Sequence, residues 1–441
     1  MNITVVALGK IGLPLAVQFA TRGHHVIGAD VNPAVVETVN AGIEPFPGEE
    51  HLGEYLAAVV AGRSVNGAPA GRLEATTDTT EAVRRSEAVV VVVPLFVDAE
   101  SRPDFGWLDE ATRAIAAGLQ PGTLVSYETT LPVGTTRERF LPMLEQGSGL
   151  TAGTDFQLVF SPERVFTGRV FADLRKYPKL IGGIDADSAK RGQAFYEQVL
   201  TFDERPDLVA AGSRPNGVWD LGSAEAAELA KLAETTYRDV NIGLANQFAR
   251  FAATHGIDIH QVIEASNSQP FSHIHRPGIA VGGHCIPVYP RLYLWGDPEA
   301  TVVRAAREAN AAMPDYTVGL LEGVHGDLRG QRVLVLGASY RGGVKETAFS
   351  GVFATVAALR ELGAEALVDD PMFRDEELTA LGLTPYPKGA PVDAAILHTD
   401  HAGYRGLTST DLPGVRTVID GRGVLDGANW PGVTLRVLGR G

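Results

Sequence analysis

The segment ITVVALGKIGLPLAVQFATRGHHVIGAD, Ile3 to Asp30, decides the fold. It opens on an aliphatic run, breaks at a glycine turn, continues with helical spacing and returns to a second aliphatic run that ends on an acid. Strand, turn, helix and strand in that order make a βαβ unit, two parallel strands joined by a crossover helix. The turn itself, ALGKIGLP from Ala7 to Pro14, has Gly9 and Gly12, with Ala7 where a dinucleotide-binding turn usually has its first glycine. Gly9 lets the backbone approach a pyrophosphate, and Gly12 lets the helix pack closely on the strand, with Lys10 and Ile11 between them in the same cradle. Asp30 stands eighteen residues after Gly12 at the end of the second strand. A carboxylate there accepts hydrogen bonds from a ribose diol and repels a 2′-phosphate, so the turn is read as a site for NAD rather than NADP.

Further short aliphatic runs follow, AVVVVVP from Ala88 and GTLVSYET from Gly122, alternating with helix-like segments. This pattern predicts a doubly wound parallel sheet, with Pro94 at the end of one run placed beside the cofactor. From Ser223 the text SAEAAELAKLAETTYRDVNIGLANQFARFAATHG is rich in Ala, Leu and Glu, has no internal proline and ends at Gly256, which predicts one long helix. Glu228, Lys231, Thr235 and Ile242 fall on neighbouring angles of that helix, and the plain reading of Lys231 is a solvated partner of Glu228. A second strand and glycine turn begins at Arg332, RVLVLGASYRGG, followed by LGAEALVDDPM, DAAILHT and VRTVIDGRGVLDG. The expected architecture is therefore α/β, two Rossmann-like doubly wound domains joined by a long central helix. Its expected boundaries are 1–212 for the NAD-binding domain, 213–325 for a central helical domain and 326–441 for the C-terminal domain.

Composition limits the partners. A chain of 441 residues, 45% hydrophobic and 21% charged, buries large cores and divides into two or three domains. A net charge of -15 argues against a nucleic-acid or anionic-membrane surface, which needs clustered Lys and Arg. The opening MNITVVALG has no basic region ahead of an apolar one, and the run AVVVVVP is far too short to span a bilayer, so a cytoplasmic location is expected. The single cysteine excludes an internal disulfide and suits a reducing compartment. It lies in PGIAVGGHCIPVYP, Pro277 to Pro290, with Gly282 and Gly283 just before Cys285.

TTLPVGTT, SPERVFTGR with PKLIGG, ELAKLAETTYRDVNI and VGGHCIPV, together with the first glycine turn, resemble the nucleotide-sugar 6-dehydrogenases, the UDP-glucose and UDP-N-acetylhexosamine dehydrogenase family. The SPER and RDVNI forms look more like the branch that oxidises UDP-N-acetyl-mannosamine or UDP-N-acetyl-glucosamine. The resemblance implies oxidation of the sugar C6 alcohol to a carboxylate with two NAD, through a thioester on Cys285. It implies that Lys231 stabilises thiolate and oxyanion, that Glu163 helps deprotonate or order water, and that Thr130 lies beside the nicotinamide. It places Glu163, Arg164, Lys231, Gly282, Tyr340, Arg341 and Arg422 around the nucleotide-sugar, Gly282 and Gly283 leaving room for the sugar. A homodimer built on the central helix is implied as well. Apolar burial alone is the alternative for Cys285, but it does not require paired glycines.

The chain also departs from that family. Tyr289 stands where the family has an aspartate four residues after the cysteine, and Thr235 where it has an asparagine four residues after the lysine. Phe271 and Ala348 stand at two family arginines. A phenol is mostly protonated at neutral pH and is a poor general base. Three readings are therefore open: a nucleotide-sugar dehydrogenase with rerouted proton transfers, an oxidoreductase altered in substrate or end point, and an inactive binding protein. Cys285, Lys231 and Glu163 together argue against the last. His273, His275, His284 and Cys285 admit a metal-ligand reading, but they lack zinc spacing and no metal is expected. His273 or His275 with Arg276 is expected instead to supply the phosphate charge that Phe271, standing at a family arginine, does not provide.

Overall fold

Strand runs that are apolar on both faces build a parallel sheet covered by helices on both sides. The computed structural model, which describes residues 1–98 and 100–441, has two such sheets. Its strands are β1 (Asn2–Val6), β2 (His25–Ala29), β3 (Arg72–Thr76), β4 (Ala88–Val91), a small hairpin of β5 (Phe96–Val97) and β6 (Pro103–Asp104), β7 (Leu124–Tyr127), β8 (Gln157–Phe160), β9 (Lys179–Gly183) and β10 (Val218–Asp220). Apart from the hairpin they form one sheet in the order β10-β9-β8-β7-β4-β1-β2-β3. Its neighbours are parallel except β8 and β9, which run antiparallel. Strand order reverses at the β1–β4 pair, which puts a ligand crevice outside the carboxyl ends of those strands.

Alternation along the strands fills both faces of this sheet. Ile3, Val5 and Val90 pack with Leu13, Leu15, Phe19, Phe195 and Tyr196 on one side. Val6, Val89, Val91 and Tyr127 pack with Ile115, Phe140 and Leu144 on the other. The five strands β11 (Arg332–Leu336), β12 (Glu365–Asp369), β13 (Ala394–Leu397), β14 (Thr417–Asp420) and β15 (Thr434–Val437) form the second sheet, all parallel, in the order β12-β11-β13-β14-β15.

The predicted long helix runs over Ala224–Thr254. Ser223 Oγ accepts the Ala226 N–H at 3.1 Å to start it, and Gly256, at φ +68°, turns the chain out of it. Packing divides the chain into two compact units, Met1–Ala233 and Glu234–Gly441, with the division inside this helix. The segment expected as a central domain over 213–325 is therefore shared between the two units. Among the described residues no helix is long and apolar enough to cross a membrane.

Candidate active site

The first glycine turn has the close contacts that its sequence predicts. A Cβ on Gly12 would overlap the carbonyl oxygen of Ala7, so only glycine lets the helix Gly12–Thr21 start this close to β1. Ala7 takes φ +76°, the left-handed region that the usual glycine enters freely, and an alanine there costs about 1–2 kcal/mol. Its N–H donates to Ala29 across the pair at 2.7 Å, which holds the strained residue in place. Around Gly9 nothing lies within 4 Å of a would-be Cβ, leaving the backbone open to a ligand. Asp30 accepts the Leu8 N–H at 2.8 Å on one carboxylate oxygen and the Asn32 N–H at 2.9 Å on the other. Both oxygens are thereby oriented, each with a lone pair left for a ribose hydroxyl. Lys10 and Pro94 are exposed at the same carboxyl edge, and Ile11 is half-buried. These residues fit NAD.

The neighbouring carboxyl ends of β7 and β8 lead into the predicted hydroxyl and acid, and two groups the sequence did not mark join that acid. Thr129 Oγ1 donates to the Val93 carbonyl at 2.6 Å, tying the chain after β7 to that after β4, and Thr130 next to it is buried. Glu163, after β8, lies against Lys179, whose Nζ donates to Glu163 at 2.9 Å and to Glu128 at 2.6 Å. Tyr196 adds a 2.6 Å hydrogen bond to Glu128, and the Arg164 N–H one of the same length to Glu163. The Arg164 guanidinium reaches back to the Pro178 carbonyl at 3.2 Å, beside Lys179. Burial pushes Glu128 up to about 7 despite the ammonium. Burial also works to raise Glu163, but the charge and hydrogen bond of Lys179 outweigh it and hold this carboxyl below the usual range. Lys179 itself is raised: burial opposes its charge, and the two carboxylates more than offset that.

Lys231 is only 6% exposed, so it is not a solvated cation. Nor does the Glu228 carboxylate serve chiefly as its partner: it accepts the Gly134 N–H at 2.6 Å, the Thr136 N–H at 2.9 Å and the Thr136 hydroxyl at 2.7 Å. Glu228 thus fixes the loop that follows Thr130, and burial pushes its pKa up to about 7 against those donors. Spacing along a helix placed Glu228 beside Lys231; the partners of Glu228 come from a loop more than ninety positions away in sequence.

In the second unit Cys285 is a free, half-buried thiol. Its loop is set by main-chain bonds: Gly283 N–H donates to Ala348 at 2.8 Å, and the Cys285 carbonyl accepts from Tyr289 at 2.9 Å and Val288 at 3.2 Å. A Cβ on Gly282 would meet Tyr340 Cβ at 2.5 Å, and one on Gly283, at φ +90°, would lie 3.0 Å from the Tyr340 ring. On the side where a Cβ would stand the room is taken by Tyr340, so these glycines bring the cysteine loop against the tyrosine. Arg341 lies beside it, Nε to the Tyr340 hydroxyl at 3.3 Å. Arg422 turns inward, donating from Nε to the His398 carbonyl at 2.9 Å and from Nη2 to the Tyr340 carbonyl at 3.2 Å, so it braces the backbone of the tyrosine.

The second glycine turn repeats the acid of the first in closed form. Asp370, just after β12, accepts the Ala338 and Ser339 N–H groups at 2.8 Å each and His401 Nε2–H at 3.1 Å, and is 3% exposed. Its carboxylate is saturated and covered, unlike that of Asp30. Thr235 is fully buried and Tyr289 half-buried at the start of the helix Tyr289–Gly296, while Phe271 is 91% exposed. His284 pairs with Glu346 at 3.2 Å, and the loop of His273 and His275 is held by Asn241, which donates to the His273 carbonyl and accepts the His275 N–H, both at 2.8 Å. Arg276 is exposed. Among the described residues no three His, Cys, Asp or Glu side chains gather to hold a metal ion.

Three signatures of one family match in chain order: the NAD binding domain over residues 1–200, the central domain over residues 225–312 and the UDP binding domain over residues 334–427. A UDP-N-acetyl-D-mannosamine dehydrogenase from Pyrococcus horikoshii is 33% identical, with all of both chains covered. The solved structure of the UDP-D-ManNAc dehydrogenase from that organism superposes with a TM-score of 0.85 at 31% identity, again over all of both chains. A UDP-glucose dehydrogenase from Pyrobaculum islandicum superposes at 0.84 with 27% identity, covering 100% of this chain and 98% of the other. With an open NAD cradle in its first unit and these matches along its length, the chain belongs to the UDP-glucose/GDP-mannose dehydrogenase family and is an NAD-dependent nucleotide-sugar dehydrogenase.

Proposed function

We propose that the protein oxidises the C6 primary alcohol of a UDP-sugar, with UDP-N-acetyl-mannosamine the first candidate, to the uronic acid through a thioester on Cys285. The observation that carries this reading is the lone free thiol, half-buried in the stretch that matches the central domain, in a loop whose glycines bring it against Tyr340 of the stretch that matches the UDP binding domain. The relatives' names support the sugar, mannosamine ahead of glucose.

The chemistry balances in four steps. The C6 alcohol loses a proton to a base and a hydride to the nicotinamide, giving the aldehyde. The Cys285 thiolate adds to that aldehyde, and the thiohemiacetal loses its hydroxyl proton to a base and a hydride to a second NAD. Water then cleaves the thioester, releasing the acid and the thiol. Bound NAD supplies the hydride acceptor. In this reading Lys231, a buried ammonium, stabilises developing oxyanions, Glu163 orients or deprotonates water, and Thr130 lies beside the nicotinamide. Arg164 supports Glu163, and Tyr340 with Arg341 presents a ring and a cation to the nucleotide, with Arg422 bracing Tyr340. NADH formation from UDP-N-acetyl-mannosamine, UDP-N-acetyl-glucosamine and UDP-glucose tests it. Two NADH per sugar and a uronic acid product are expected; no turnover with any UDP-sugar would sink the proposal.

Asp30 is assigned to the adenosine ribose. Asp30→Ala removes charge-assisted hydrogen bonds to the diol and the repulsion of a 2′-phosphate, so the preference for NAD over NADP falls by about tenfold or more. Dissociation constants for both cofactors measure this, and an unchanged ratio counts against the assignment.

The reading also includes a homodimer through the long helix. Tyr237, Leu244, Phe248 and Phe251 form a stripe along it and are 53%, 46%, 38% and 60% exposed. Apolar side chains at this spacing mark a contact face rather than a solvent face. Leu244→Asp with Phe251→Asp is expected to convert a dimer to a monomer in light scattering. A wild-type monomer, or a doubly substituted dimer, would refute it.

A further inference from the structure

We infer that Lys179 is the positioning residue for Glu163: it holds that carboxylate ionised and aimed, and Glu128 with Tyr196 anchors the lysine. The inference rests on the assignment of Glu163 in the preceding subsection and goes beyond it to the residue that makes Glu163 usable.

Lys179 opens β9, the strand antiparallel to β8, so its side chain is delivered beside the carboxyl end of β8, where Glu163 follows. Nζ reaches Glu163 at 2.9 Å and Glu128 at 2.6 Å, with the lysine side chain 5% exposed and the two carboxylates 11% and 0%. Tyr196 completes the anchor. Its hydroxyl donates to Glu128 at 2.6 Å, accepts from Ser126 at 2.7 Å, and its ring lies 4.9 Å from the ammonium. Glu128 and the Arg164 N–H are hydrogen-bonded to Lys179 and Glu163 respectively, and Asp173, Tyr177 and Arg164 line the small pocket beside them. A buried carboxylate without a counter-charge takes up a proton instead of staying ionised. One ammonium between two carboxylates leaves one excess negative charge. Burial raises the fully covered Glu128 to about 7, so as the pH falls it takes up a proton before Glu163, which stays ionised. Glu163 is the less covered end of the cluster, 11% exposed against 0% for Glu128, and its N–H donates at 3.3 Å to the carbonyl of Glu128, two residues before the buried Thr130.

The test compares Lys179→Gln, Lys179→Arg and Glu163→Gln with wild type, on the UDP-sugar that turns over. Without the ammonium, burial dominates and the Glu163 pKa rises, so the acid limb of kcat/KM is expected to move up by about one pH unit or more. Turnover falls at least about tenfold with KM nearly unchanged, and Lys179→Arg recovers most of it. Thermal unfolding and NAD affinity check that the variants fold. The wild-type acid limb is a second measurement that needs no variant, and it should lie below the ordinary carboxylate range. A wild-type limb above that range overturns the inference. So does a folded Lys179→Gln enzyme with wild-type turnover and acid limb while Glu163→Gln is impaired; the assignment of Glu163 then stands. If Glu163→Gln keeps full activity, that assignment fails, and this inference with it.

Discussion

Replacing Cys285 by serine is expected to abolish release of the uronic acid, by at least about 1,000-fold, while a small first hydride transfer survives. A serine hydroxyl is not ionised near neutral pH, so the addition that converts the aldehyde to a second hydride donor is lost. The backbone of the loop should be unaffected. Its geometry comes from Gly283 N–H on Ala348 and from Val288 and Tyr289 N–H on the Cys285 carbonyl, none of which involves the sulfur. The variant should yield at most one NADH per sugar, with aldehyde as the product, and wild type should yield two. Mass spectrometry of the quenched wild-type reaction should find an acyl adduct on Cys285. If the serine enzyme still releases a uronic acid and no adduct forms in wild type, the thioester route is wrong.

The fold is legible because its signals are local. ITVVAL, the glycine turn and HHVIGAD appear as β1, the start of the helix Gly12–Thr21 and β2, and AVVVVVP gives β4 at Ala88–Val91. Buried on both faces, β4 must be continuously apolar, and a continuous run is readable. β3, RLEAT over Arg72–Thr76, is an edge strand with an exposed arginine and half-buried polar residues, so its pattern carries no comparable signal. The site was less legible. The cofactor acid, the thiol and the buried lysine stand in motifs, but the partners of Glu163 and Glu228 come from distant segments brought together by sheet topology. Lys179, in PKLIGG, is a charge opening a run buried along its length, the one signal that pointed to it. Charges at the ends of buried strands are costly to bury unpaired and mark such clusters.

Tyr289 and Thr235 carry the second large prediction. The resemblance assigns the aspartate and asparagine normally at these positions to the water that attacks the thioester. Their replacement should slow hydrolysis by about 100-fold to 10,000-fold, while the first hydride transfer, which needs an aligned alcohol and a base, is less affected. Wild-type enzyme mixed with its UDP-sugar and NAD is then expected to give a burst of two NADH per active site, followed by a slow steady rate with the acyl adduct on Cys285. Restoring the pair, Tyr289→Asp with Thr235→Asn, should raise the steady rate and shrink the adduct, more than additively, because both groups would hold one water. The two positions are not equally tolerant. Tyr289 is half-buried at the first residue of the helix Tyr289–Gly296, where a carboxylate also favours the helix start, so aspartate enters readily. Thr235 is fully buried in the helix Ala224–Thr254, where the added bulk of asparagine costs about 1–3 kcal/mol. Thermal unfolding must therefore accompany the kinetics, and Tyr289→Asp alone should already give part of the rate. A wild-type enzyme that shows no burst, and loses activity in a folded Tyr289→Asp variant, would mean that another group activates the water and that Tyr289 serves the substrate instead.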